Sequence, residues 1–99
     1  MENKNDYIAR LQVAIMQLHR CGAVWRESVP VTESYQGKTL WAGKVEVFDL
    51  NGHPQAKRCY GWTAGEPEEF ITILQIHPVS DAQTAVKVAV AYQIKKARK

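Results

Sequence analysis

The chain has few cysteines: only Cys21 and Cys59 among 99 residues. Two thiols do not make the disulfide framework of a small secreted domain, so a cytoplasmic protein with both thiols reduced is expected. No apolar run approaches the ~18 residues that suggest a membrane span, so no membrane partner is expected. The opening MENKNDYIAR lacks a basic segment followed by an apolar one, and no secretory signal is read in it. A phosphate-cradling glycine loop, a dinucleotide fingerprint and a nucleophile elbow are all missing. His19, Cys21, His53, Cys59 and His77 supply metal-ligand types, but no CxxC or HxxxH spacing joins them. Neither a metal nor a cofactor is expected.

Net charge is also scarcer than it looks. The formal charge is +3, yet Lys95, Lys96, Arg98 and Lys99 fall within the last five positions. Residues 1–94 hold nine basic and ten acidic side chains, a net of −1. The basic excess is therefore a tail on a near-neutral body, and such a tail suits the C-terminal end of a helix dipole. The cluster Glu66, Glu68 and Glu69 reads as a solvated turn.

What is present is ordinary globular composition, 45% hydrophobic and 23% charged, over residues 1–99 as a single domain. Ile8, Leu11, Ile15 and Leu18 recur at the spacing of one helix face, with Asn5 or Asp6 as the cap and Gly22 as the stop. In VWRESVPVTESY, Trp25, Val29, Val31 and Tyr35 alternate with polar residues, which predicts a half-buried strand, and Pro30 puts that strand at a sheet edge. After a QGK turn, TLWAGKVEVFDL predicts a second strand with Trp41, Val45 and Val47 on one face.

Asn51–Gly52 predicts a hairpin. A two-residue loop there sets Glu46 opposite Lys57 and Trp41 opposite Trp62, and a four-residue NGHP loop moves the register by two without changing any face. FITILQIH predicts a fourth strand, apolar on both faces and so lying between covered layers. SDAQTAVKVAVAYQIKKARK alternates like a strand, but its alanines and a Ser80–Gln83 capping box favour a helix. The expected fold is α+β: a four-stranded antiparallel meander flanked by N-terminal and C-terminal helices, α-β-β-β-β-α. Both helices are expected on one face, as a two-layer sandwich.

Chemistry is sparse. His53 and Cys59 lie six residues apart on one strand, roughly 20 Å, too far for a nucleophile and its base. Cys59 reads as a small apolar residue, and Asp49 as a turn former. Arg58 shares a face with Trp41, Tyr60 and Trp62, so it needs an anion or an exit to water. Pairing with Glu27 or Asp49 would make it structural.

The segments VEVFDLNGHPQAKRCYGW, EEFITILQIHPV and AVKVAVAYQIKK resemble a family of short bacterial proteins with no assigned activity, also carried in mobile integron-type gene cassettes. The resemblance runs from Val29 onward and implies a cytoplasmic bacterial protein, without assigning functional residues. The element order is also similar to that of the double-stranded RNA-binding domain, with one strand more.

Three functions compete. The first is a non-enzymatic binding module that self-associates as a dimer, because Phe48, Leu50 and Cys59, with Ile71 and Ile73, need a cover. The second is nucleic-acid binding through the sheet aromatics and the tail residues Lys95, Lys96, Arg98 and Lys99. The third is an enzyme or small-ligand pocket near Arg58, Tyr60 and Trp62, with Trp41 beside them.

Overall fold

In the computed structural model, which describes residues 3–65 and 67–97, the chain is an α+β fold. Its elements are α1 (Lys4–His19), β1 (Gly22–Tyr35), β2 (Lys38–Asn51), β3 (Arg58–Ala64), β4 (Glu69–Leu74) and α2 (Ala82–Ala97). The strands make one antiparallel sheet in the order β1-β2-β3-β4, the meander expected from the sequence. No helix among the described residues is long and apolar enough to cross a membrane.

The helix ends are set by local hydrogen bonds that differ from the expected ones. Asn3, not Asn5 or Asp6, caps α1, its Oδ1 accepting from the Asp6 N–H at 2.9 Å. The helix stops at Arg20, which itself takes the left-handed conformation (φ 53°), so Gly22 is free to begin β1. At α2 the reciprocal box is Asp81–Thr84 instead of Ser80–Gln83. The Thr84 N–H donates to Asp81 Oδ1 at 2.8 Å, and Thr84 Oγ1 accepts from the Ser80 and Asp81 N–H groups at 2.9 and 3.0 Å.

The helices lie on opposite faces of the sheet, so the fold has three layers where two were expected. Alternate residues of β2 divide between two cores. Val45 and Val47 join Val31, Tyr60 and Trp62 under Ala82, Ala85 and Val86 of α2. Phe48 joins Ala23 and Cys59 under Leu11 and Ile15 of α1. α1 packs directly over Gly61, where a Cβ would meet Leu11 Cδ2 at 3.4 Å, ordinary contact distance. The strand expected between covered layers, β4, is an edge strand with Leu74 on the α1 side and Ile71 and Ile73 on the α2 side.

Two of the departures from regular pairing bear on where the candidate residues point. Between Trp25 and Glu27, β1 carries one extra residue, Arg26, as a bulge. Trp25 therefore pairs with Phe48 on the α1 face, while Val29 and Val31 remain on the α2 face. The β2–β3 connection is longer than a tight Asn-Gly turn. Glu46 pairs with Gly61, not Lys57, because His53 Nδ1 accepts from the Gln55 and Ala56 N–H groups and organises a wider loop. The shift is an even number of residues, so every face expected for β2 and β3 is kept.

The α1 layer rests on Leu11 and Ile15, both fully buried. Leu11→Ala is expected to lower stability by about 2–5 kcal/mol, the range for a deleted core leucine. An unchanged urea midpoint would show that α1 is not docked on the sheet in solution.

Candidate functional site

The four residues expected at a site are divided between two places. Arg58 and Tyr60 line a depression of about 240 Å³ with Glu27, Ser80, Asp81 and Gln83. Trp41 and Trp62 instead lie together, ring centroids 5.6 Å apart, on the wall of a separate cleft. Tyr60 and Trp62 are core residues, each 2% exposed beneath α2. The sheet therefore offers no open aromatic platform at these positions. Of the tail, Lys95 is exposed near the end of α2, while the Lys96 side chain, Arg98 and Lys99 lie outside the described residues, as does Glu66.

Arg58 has one of the two partners expected for it, Asp49. Its Nε lies 3.1 Å from Asp49 Oδ1, and the other carboxylate oxygen takes Arg26 Nε at 3.1 Å. The strand register supplies the pair, since Asp49 and Arg58 are directly opposite. The Arg58 side chain is 38% exposed, so the pair is solvent-screened. Burial pushes the neighbouring Tyr60 hydroxyl up, and the Arg58 charge draws it partly back.

The second place is built where the sheet divides. The β2–β3 ladder ends at Glu46–Gly61, and beyond it β2 diverges from β3. The resulting cleft, about 560 Å³, is floored by Glu46 and bordered by Lys4, Tyr7, Trp41, Lys44 and Thr63. Glu46 is 3% exposed. Its Oε1 accepts from Trp25 Nε1 at 2.9 Å and from Ser28 Oγ at 2.5 Å. The Arg26 bulge is what turns Trp25 onto this face to reach it. Sequence reasoning gave Glu46 only a cross-strand pairing with Lys57, not a place in a site. The available signal was an acidic residue at the same parity as the apolar Phe48 and Leu50.

The histidines and thiols near the end of α1 do not form a reactive centre. His19 Nε2 lies 2.9 Å from Thr72 Oγ1, and its ring meets that of His53 edge-on at 6.3 Å. Burial, and then the proximity of His53, lower the His19 pKa. Cys59 is fully buried, and desolvation pushes its thiol up to about 12, the opposite of an activated nucleophile. No group of three or more His, Cys, Asp or Glu side chains among the described residues could hold a metal ion.

Three outcomes are expected. Arg58→Ala should lower stability by about 0–1 kcal/mol, as for an exposed ion pair, far below the ~3–5 kcal/mol of a buried one; urea unfolding measures it. Titration of the native protein with a thiol reagent should modify Cys21 and leave Cys59 intact, and rapid labelling of both thiols would contradict the burial. For His19 the folded-state pKa lies below the unfolded value of 6.5, so its contribution is complete above that value. It is lost as the pH falls below 6.5, when the unfolded chain takes up the proton first. His19→Gln should flatten the stability profile there, and an unaltered slope would assign the pH dependence to other groups.

No protein-family model, curated protein or solved structure matches the chain, so the geometry of these sites and of the sheet edges carries the functional argument.

Proposed function

We propose that the protein is a non-enzymatic interaction module that self-associates as a dimer along the β4 edge. The apolar residues expected to need a second chain are covered within one. Phe48 and Cys59 are covered by α1, and Ile71 and Ile73 pack towards α2. The observation that carries the proposal is the contrast between the two edges of the sheet.

The β1 edge is obstructed. Pro30 has no N–H to offer, Arg26 bulges out of the ladder, and Gln83 Nε2 donates to the Thr32 carbonyl at 3.0 Å. Among the described residues the β4 edge has none of these obstructions. The Gln75 N–H donates to the Arg58 carbonyl, which fixes the alternation along β4. Ile71 and Ile73 accordingly direct their backbone groups to β3, leaving those of Phe70 and Thr72 and the Leu74 N–H directed outward.

Both layers beside that edge carry exposed apolar side chains. On the α1 side, Val13, Leu18 and Phe70 border a groove; on the α2 side, Val88 and Tyr92 lie next to β4. A two-fold axis at Thr72 pairs it with its own copy and Phe70 with Leu74 of the second chain. Such pairing continues the sheet and brings apolar strips together in both outer layers. A stable interface covers about 800 Å² per partner, roughly a tenth of the 6981 Å² surface. The free thiols Cys21 and Cys59 suit a reducing cytoplasm, and the resemblance to short bacterial cassette proteins adds a bacterial setting to the proposal.

Light scattering at micromolar concentration should give about twice the 11.2 kDa chain mass. Thr72→Pro removes an N–H that the single chain does not use, and it should yield a folded monomer. A wild-type protein that stays monomeric, or a folded Thr72→Pro protein that stays dimeric, overturns the β4 interface.

A further inference from the structure

We infer that the cleft where β2 and β3 part binds a small zwitterion of the α-amino-acid class, its ammonium held on the free oxygen of Glu46. Removing a carboxylate from water is costly unless it is paired and hydrogen-bonded. Glu46 is 97% buried by the complement of its 3% exposure, and no cation among the described residues lies within ion-pair distance of it. Both of its donors, Trp25 and Ser28, converge on Oε1. No buried side-chain oxygen in the described residues lacks a partner, so Oε2, which has none, is reached from solvent. Glu46 lines the cleft, and we place Oε2 there.

The two donors fix the carboxylate before any ligand arrives. Its remaining lone pairs suit a ligand with several N–H donors and one positive charge. Among the described residues no second carboxylate, histidine or cysteine borders the cleft, so a metal ion would find too few ligands there. An ammonium group needs only one charged partner.

The border supplies the other half of the recognition. Lys44 is two residues along β2 from Glu46 on the same face, and Lys4 holds its Nζ over the Trp25 ring, 5.5 Å from the centroid. Both lysines line the cleft at more than ion-pair distance from Glu46. They can take a carboxylate attached to the same ligand. Past Glu46–Gly61, the backbone alternation turns the N–H and C=O of Lys44 and Ala42 towards the space that β3 has vacated. Trp41 gives the cleft an apolar wall for a side chain.

The test follows the three tryptophan indole N–H signals by NMR while phenylalanine, phenethylamine and N-acetylphenylalanine are added in turn. Phenylalanine should shift the Trp25 and Trp41 signals saturably, and phenethylamine should do so more weakly. N-acetylphenylalanine, which has no ammonium, should shift neither. Glu46→Gln keeps an oxygen for Trp25 and Ser28 and should abolish binding with the indole dispersion intact. Lys44→Ala should weaken phenylalanine about tenfold, the loss of one charged hydrogen bond, and leave phenethylamine unchanged. If Glu46→Gln does not fold, the wild-type comparison of free and acetylated amine still decides. Equal binding of the acetylated compound, no saturable shift with either amine, or full binding by folded Glu46→Gln would overturn the inference.

Discussion

Along its central stretch, β2 has no side that faces water. Val45, Glu46, Val47 and Phe48 are all buried, so successive side chains must satisfy two different layers at once. A strand in that position cannot slip by one residue, because every valine would exchange places with Phe48 and Glu46. The rest of the molecule is arranged around this constraint. β1 carries its bulge against β2, β3 sends Tyr60 and Trp62 one way and Cys59 and Gly61 the other, and the helices close the two faces from outside.

Glu46 is the exception within that strand, and the exception is prepared for. A carboxylate at the end of the shared ladder can be tolerated because Trp25 and Ser28 reach it across β1 and because the sheet separates immediately beyond it. The bulge at Arg26 has two effects. It brings the Trp25 indole to Glu46, and it places Arg26 where its guanidinium shares Asp49 with Arg58.

Much of this was legible from residue order. The 3/4 spacing of Ile8, Leu11 and Ile15 and the alternation of Trp41, Val45 and Val47 identified elements and faces, because those periods are properties of the backbone. The faces survived a register error of four residues at the β2–β3 hairpin, since an even shift leaves parity alone. Trp25 was misassigned because one inserted residue reverses parity, and nothing in the sequence marks Arg26 as the insertion. The layer count was not legible either. A strand apolar on both sides needs two covers, but its own side chains do not say whether the second is α1 or another molecule. His53 acts as a loop organiser through Nδ1, a geometry that the Asn-Gly pair before it obscured. Arg58 was half legible: Asp49 was one of two partners expected, and an exit to water was the expected alternative to pairing, whereas the side chain has both.

The obstruction of one sheet edge has a consequence for assembly number. A subunit with two receptive edges has a valency of two, and head-to-tail addition can then extend without limit into fibrils. Pro30, the bulge at Arg26 and the Gln83 bond to Thr32 take one edge out of use, which reduces the valency of the sheet to one. Backbone pairing by such a subunit terminates when a single partner has been found. Irregularity on β1 thus acts as a chain terminator for the sheet, and it permits an unguarded apolar strand at the opposite edge without open-ended growth.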